Sequence, residues 1–126
     1  MDTEGLPLAV QVQSAAVQDP VGAGPVLAEA KARAPNLQPV WGDGRYQGPL
    51  VAQAAQALGL RVEVVSKPPG TKGFAVLPRR WVVERTFGWM IRWRRLVRDY
   101  EQRIDVSQAM ILVAMGGIML RRNAHP

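Results

Sequence analysis

Residues 37–65 read LQPVWGDGRYQGPLVAQAAQALGLRVEVV, and this stretch decides the fold class of the chain. Leu37–Trp41 predicts a short strand, which stops at an aspartate between two glycines, Asp43. The alanine-rich Pro49–Leu58 predicts a helix, and the alternation in Leu60–Val65 predicts a second strand. A strand, a helix and another strand in this order favour parallel pairing and an α/β layer.

The flanking segments extend this layer on both sides. Upstream, alternation in Leu6–Ser14 predicts a half-buried strand, and Pro25–Arg33 predicts a helix that starts at a proline. Downstream, apolar residues at three- and four-residue steps predict a long helix over Pro78–Arg98. A last helix, residues 105–122, is apolar almost all round, so we expect it to be capped by Asp105 and buried.

These elements predict one domain with three parts. The parts are a strand and helix core over residues 1–66, a basic helix over 78–98 and a buried C-terminal helix over 105–122. An exposed connector, Lys67–Gly73, joins the first part to the second. A chain of 126 residues leaves little room for another domain.

Composition excludes several kinds of site. The chain has no cysteine, so disulfides and thiolate metal sites are impossible. Its single histidine, His125, stands next to the end, which removes histidine metal cages and serine–histidine catalysis. The longest apolar stretch, Ala109–Leu120, is too short for a bilayer, which needs roughly 20 residues. We therefore expect a cytoplasmic protein that does not enter a membrane.

Charge is concentrated in one segment. The net charge is +6, and residues 67–98 hold nine basic side chains against one acid, Glu84. Such a segment is typical of a protein that meets a polyanion. DNA, ribosomal RNA and lipid headgroups fit this charge equally well. The cations considered as DNA contacts are Lys72, Arg79, Arg80, Arg85, Arg92, Arg94, Arg95 and Arg98.

Two carboxylates are candidates for chemistry. Asp43 follows a predicted strand, where open α/β sheets place their ligands. Glu84 lies early in the basic helix, among its arginines. Each has an ordinary structural interpretation too: Asp43 as a turn former, and Glu84 as a counter-charge for neighbouring arginines.

A group of aromatic residues and methionines between residues 81 and 119 is expected to pack in the core, although an aromatic ring could instead stack on a base. They are Trp81, Phe87, Trp89, Trp93, Tyr100, Met110, Met115 and Met119.

A family resemblance adds to these interpretations. VLPRRWVVERTFGW, residues 76–89, and the following RRLVRDYE, residues 94–101, resemble the glutamate-bearing helix of DDE transposases of bacterial insertion sequences, of the family four/five type. GLPLAV at residue 5, VQD at residue 17 and WGDGRYQG at residue 41 occur in the order typical of that family. The similarity covers nearly the whole chain.

The resemblance implies a ribonuclease H-like fold, a mixed sheet flanked by helices, with an Asp-Asp-Glu triad that binds two Mg²⁺ or Mn²⁺ ions. Asp43 matches the second acid and Glu84 the third. The family's first acid lies on a strand before the turn that Asp2–Gly5 matches. That strand is therefore expected to be missing, and Asp2 is a weak substitute for its acid.

The match is incomplete around Glu84. The related signature has a tyrosine, an arginine and a lysine at fixed distances from the glutamate. Arg80 stands at the arginine position, but Leu77 and Ile91 occupy the other two. Arg92 is a candidate for the displaced cation.

The implied function is metal-dependent DNA cleavage and strand transfer, with transposon ends and target DNA as partners and, in such assemblies, a dimer. With two of three acids, this fragment is expected to be inactive alone. The alternative is a non-catalytic basic nucleic-acid-binding remnant, or a partner of intact transposase.

Overall fold

The computed structural model describes residues 1–67, 69–73 and 77–125. In that part of the chain there are four α-helices and two strands: α1 (Asp19–Arg33), β1 (Val40–Gly42), α2 (Pro49–Ala57), β2 (Val62–Val64), α3 (Pro78–Met90) and α4 (Ile104–Ala124). Single-turn 3-10 helices span Gly44–Tyr46 and Arg94–Leu96. The predicted mixed α/β class is confirmed.

The chain divides into two compact units. The sheet unit is Ala15–Trp81, and the helical unit is Met1–Ser14 together with Val82–Pro126.

The sheet of the sheet unit is parallel, as the sequence predicts. Val40 of β1 lies opposite Val62 of β2, and Trp41 lies opposite Glu63. Helix α2 connects the strands, which is how parallel neighbours are joined. Both strands are shorter than predicted, and β1 begins only after Pro39, which has no N–H to donate to a ladder.

The core of the sheet unit lies where α1 packs against α2. Its buried side chains are Ala23, Leu27, Val51, Ala55 and Leu60. All of them come from the two helices and the turn after α2, so the helix pair anchors the short sheet.

Helix α1 starts six residues earlier than predicted. Asp19 stands in the first turn beside a proline at the start, an arrangement that suits the N–H groups and the dipole there. Pro25, expected at the start, lies inside the helix. Burial of Ala23 and Leu27 on either side of it holds the helix together across the proline.

The predicted strand over Leu6–Ser14 is wrong. This segment has no regular secondary structure. Both strands of the described chain belong to the sheet unit. The alternating segment belongs to the helical unit, where no described strand is available to pair with it. Instead, the N–H of Val12 donates to the side-chain Oε1 of Gln108 in α4 at 3.3 Å. Gln108 of α4 therefore holds this segment through a side-chain hydrogen bond.

The basic helix is shorter than predicted. Helix α3 ends at Met90, not at Arg98. The backbone of Trp93 is extended, and an added Cβ at Gly117 of α4 would lie 2.7 Å from the Trp93 ring. Packing of this ring on the glycine favours a break between α3 and α4 over a continuous helix.

The start of α4 also differs from the prediction. Arg103 is the N-cap, without a side-chain cap bond, and Asp105 lies in the first turn. Asp105 forms an ion pair with Arg103 at 2.5 Å. Arg121 and Arg122 occupy the last turn, where the sequence places them.

The predicted burial of α4 is wrong. Ala114 and Met115 are buried, but Val113 is 60% exposed and Leu120 is 72% exposed. Helix α4 is also the one helix of the described chain that is long and apolar enough to cross a membrane. Core helices of soluble proteins meet the same criterion of length and composition, so this is weak support for a membrane role.

The predicted connector Lys67–Gly73 is exposed wherever it is described. The Lys67 ammonium donates to the carbonyl oxygen of Gly73 at 2.6 Å. Pro68, and Val76 of the family motif, lie outside the described residues.

Candidate catalytic carboxylates and basic surface

Asp43 lies directly after β1 and begins the next turn. Its backbone is extended, and its Oδ1 accepts the N–H of Arg45 at 3.0 Å. The turn-forming interpretation is therefore correct for one oxygen. Because an ionised carboxylate has about four acceptor positions, the half-buried group keeps capacity for a further ligand.

Tyr46, which the sequence analysis did not single out, is coupled electrostatically to Asp43. Burial raises the pKa of Tyr46, and the charges of Asp19 and Asp43 raise that pKa further, while Arg45 opposes them. Arg45 also forms an ion pair with Asp19 at 3.3 Å. Asp43 thus stands in a mixed-charge cluster of the sheet unit. Glycines around Asp43 indicated an accessible turn but not these partners.

Glu84 lies in α3, and its side chain is exposed. Glu84 and Arg80 each take part in polar or electrostatic interactions. The Nη2 of Arg85, another candidate counter-charge, donates to the carbonyl oxygen of Glu4 at 2.9 Å, and its guanidinium lies 4.8 Å from the Trp89 ring centroid.

Asp2 acts as a turn residue. Its Oδ1 accepts the N–H groups of Glu4 and Leu6, both at 2.9 Å. These local bonds are typical of an aspartate that stabilises a turn. They support the turn interpretation of Asp2–Gly5 over a role for Asp2 as the first acid.

The two candidate acids belong to different units, Asp43 to the sheet unit and Glu84 to the helical unit. Each unit positions its own acid. Among residues 1–67, 69–73 and 77–125, no group of three acidic or histidine side chains is placed to hold a metal ion. Oxygen donors of Asp43 and Glu84 are the type that Mg²⁺ and Mn²⁺ prefer.

Four of the candidate DNA-binding arginines have intramolecular interactions, and Arg80 is one of them. Arg79 lies over the Trp41 ring, 4.3 Å from its centroid. Arg85 contacts Trp89, as described above. Arg95 pairs with Glu101 at 2.5 Å, and this hydrogen bond raises the pKa of Arg95 above its ordinary value.

Other candidates are open to solvent. Lys72, Arg92, Arg94 and Arg98 are exposed and form no ion pair within the described part of the chain. Arg92, Arg94 and Arg98 all come shortly after the end of α3. They form an exposed cationic segment from residue 92 to residue 98.

The aromatic residues divide into two groups. Trp93 packs on Gly117 and Trp89 lies beneath Arg85 and Arg122, as expected of packing residues. Trp81, Phe87 and Tyr100 are 45%, 57% and 53% exposed, so the prediction of core packing is wrong for them. Of the methionines, Met115 is buried, but Met119 is 42% exposed.

Comparison with known proteins identifies the class. Residues 1–116 match the family model of the Transposase DDE domain, a span that includes both Asp43 and Glu84. The chain belongs to this family and is a DDE transposase by class. Transposases act on DNA, and the family is generally dependent on divalent metal ions. No curated protein and no solved structure is significantly similar to the chain.

Proposed function

We propose that the chain is the C-terminal portion of the catalytic domain of an insertion-sequence transposase of the family four/five type. The family match over residues 1–116 carries this proposal. Parallel pairing of β1 and β2 through α2, with Asp43 after β1, supports a ribonuclease H-like core. The three predicted parts then correspond to a core, a helix with the third acid and a C-terminal helix.

In this proposal Asp43 and Glu84 are ligands of Mg²⁺ or Mn²⁺. The metal ions, when bound, stabilise charge on the attacking and leaving oxygens of a DNA phosphodiester. Asp43 supplies oxygen from a backbone anchored by β1 and by the Arg45 contact. Glu84 supplies oxygen from an exposed helix position. The hydrogen bond that the Arg45 N–H donates to Oδ1 orients the Asp43 carboxylate before a ligand arrives.

The basic residues bind the DNA backbone. Exposed Arg92, Arg94 and Arg98, with Lys72, contact phosphates without reading base sequence. Arg80, which stands at the family's arginine position four residues before Glu84, contributes a further phosphate contact.

This chain alone has little or no strand-transfer activity. Asp2, the substitute for the first acid, uses Oδ1 in its own turn. A two-metal site needs ligands on both ions, and Asp43 and Glu84 supply only part of them.

A calorimetric titration with Mn²⁺ tests the proposed site. We expect saturable binding, weakened at least about tenfold by Asp43→Asn and by Glu84→Gln. The matched controls are Asp105→Asn and Glu29→Gln, which remove the same charges from carboxylates paired with Arg103 and Arg33. Both controls should bind Mn²⁺ as the wild type does.

The metal site would be overturned if the control variants lost as much Mn²⁺ affinity as the site variants. It would also be overturned if neither Asp43→Asn nor Glu84→Gln changed Mn²⁺ binding. A plasmid-nicking assay is the second arm. Metal-dependent nicking by the purified chain, abolished by Asp43→Asn, would contradict the proposed inactivity while supporting the site.

An alternative proposal is a DNA-binding remnant that associates with intact transposase or with a second copy. The edge of β1 away from β2 supports it, since within the described residues β1 pairs with β2 alone. An unpaired strand edge is a template for another strand. Salt-sensitive DNA binding with no Mn²⁺ dependence would favour this alternative. Either protein would work in the cytoplasm, at the nucleoid.

A further inference from the structure

Arg79 and Trp41 form a stacked pair on the surface of the sheet unit. Arg79 stands in the first turn of α3, and its guanidinium carbon lies 4.3 Å from the Trp41 ring centroid. Arg79 is exposed and forms no ion pair within the described chain. The contact therefore leaves the charge of Arg79 without a carboxylate partner.

The Trp41 ring is itself held in place. Its Nε1–H donates to Oε2 of Glu63 at 2.9 Å, and Glu63 is the residue opposite Trp41 in the parallel register. The other oxygen of Glu63 pairs with the Nε of Arg61 at 3.1 Å. Two contacts thus fix Glu63, and Glu63 fixes the indole.

Trp41 and Asp43 are two positions apart in extended backbone. Successive side chains of a strand alternate between faces, so these two project to the same face, roughly 6–7 Å apart along the strand. Gly42 between them carries no side chain. The stacked guanidinium is thus next to the end of β1 where Asp43 lies.

We propose that Arg79 binds a DNA phosphate beside Asp43, and that Trp41 is the positioning residue that holds its guanidinium. The inference rests on the proposed action on DNA. Stacking uses the flat face of the guanidinium, and the N–H groups at its edge stay available for phosphate oxygens. A guanidinium already ordered on a ring loses less side-chain freedom when the phosphate arrives.

The competing explanation is structural: the pair only fastens the first turn of α3 to β1. Both explanations predict lower stability when Trp41 is replaced. Only the phosphate-binding explanation predicts that removal of the uncharged Trp41 changes the salt dependence of DNA binding, because that dependence counts neutralised phosphates.

The test is the affinity of the full chain for a short DNA duplex over a range of salt concentrations, in chelator without metal ions. Arg79→Ala should lower affinity about tenfold and reduce the log–log salt slope by about 0.9. Trp41→Leu should lower affinity about two- to fivefold and reduce the slope in the same direction. The double variant should resemble Arg79→Ala.

Three further variants sharpen the test. Trp41→Phe keeps an aromatic face and should keep most of the slope. Arg79→Lys keeps the charge but not the planar stack, so it should fall between wild type and Arg79→Ala. Arg33→Ala removes a paired arginine from α1 of the same unit and should leave the slope unchanged. Circular dichroism and thermal unfolding verify that each variant is folded.

A folded Trp41→Leu variant with the wild-type slope would overturn the proposal, as would equal slopes for Arg79→Ala and Arg33→Ala. Absence of DNA binding by the wild type would overturn both this inference and the proposed function. If Mn²⁺ does not bind as expected, but Arg79→Ala and Trp41→Leu still reduce the salt slope, only the proposed catalytic site is overturned.

Discussion

The Thr86 hydroxyl lies 2.7 Å from the carbonyl oxygen of Gly5, and Thr86 is fully buried. Gly5 has a φ of +84°, and an added Cβ would lie 2.6 Å from the Thr86 oxygen. This contact fixes the Asp2–Gly5 turn on α3. A side chain at residue 5 is therefore opposed both by backbone conformation and by space.

Gly5→Ala should lower the free energy of unfolding by about 2–4 kcal/mol, from positive-φ strain and the clash with Thr86. Gly88→Ala is the matched control in the same unit. It lies in α3 with open space around it, so alanine should stabilise by up to about 1 kcal/mol. Urea denaturation followed by circular dichroism measures both. Equal effects would show that the turn does not dock on Thr86.

Gly116 and Gly117 should respond oppositely to alanine. A Cβ at Gly117 would lie 2.7 Å from the Trp93 ring, whereas nothing lies within 4 Å of one at Gly116. Gly117→Ala should destabilise by about 1–3 kcal/mol by overpacking. Gly116→Ala should stabilise by about 0.5–1 kcal/mol through helix propensity. The melting temperatures of the two variants, compared with wild type, measure these effects. A decrease for Gly116→Ala as large as for Gly117→Ala would contradict the packing of Trp93 on Gly117.

Local patterns predicted the order of elements around β1 and β2 because proline, glycine and alternation act within a few residues. They misjudged Leu6–Ser14, since alternation indicates a two-faced segment but not whether a strand lies beside it. The turn at Asp43, directly after β1, could be predicted because glycines flank this aspartate. Exposure of Val113 depends on which elements pack against α4, and no local pattern contains that information.

The Arg79–Trp41 contact was also beyond local sequence reasoning. Trp41 belongs to β1 and Arg79 to α3, so their proximity is a property of the folded sheet unit. One signal was present in the sequence: Trp41 and Asp43 are two positions apart, and in a strand that spacing puts both side chains on the same face. The resemblance brought Asp43 and Glu84 together as an expectation, whereas their spacing alone did not.

Tyr46 should make the chain sensitive to alkaline pH. Its pKa in the folded state is raised above 10.0, chiefly by burial, so the folded chain favours the neutral phenol. The resulting stability is fully present below about pH 10 and is lost as the pH rises through the folded-state pKa. Unfolding free energies from about pH 8 to about pH 11 measure this loss.

Tyr46→Phe should remove that alkaline loss, because phenylalanine does not ionise. Tyr100→Phe, at an exposed tyrosine, retains Tyr46 and should retain the loss. An alkaline dependence that persists in Tyr46→Phe and disappears in Tyr100→Phe would contradict the assignment.

Arg94 and Arg95 are neighbours with different expected contributions to DNA binding. Arg95 is paired with Glu101, whose side chain is only 14% exposed, and lies 5.5 Å from the Tyr100 ring centroid. Arg94 is exposed and forms no ion pair within the described residues. A phosphate must displace Glu101 to reach Arg95, whereas Arg94 is available at once. Arg94→Ala should therefore reduce the salt slope of duplex binding by about 0.9.

Arg95→Ala should leave that slope nearly unchanged and instead lower stability, since Glu101 loses its partner. The two variants differ equally from wild type in net charge, so any general electrostatic effect is the same in both. Fluorescence anisotropy with a labelled duplex gives the slopes, and thermal unfolding gives the stabilities. If Arg95→Ala reduces the slope as much as Arg94→Ala, the Arg95–Glu101 pair opens on DNA and both arginines belong to the binding surface.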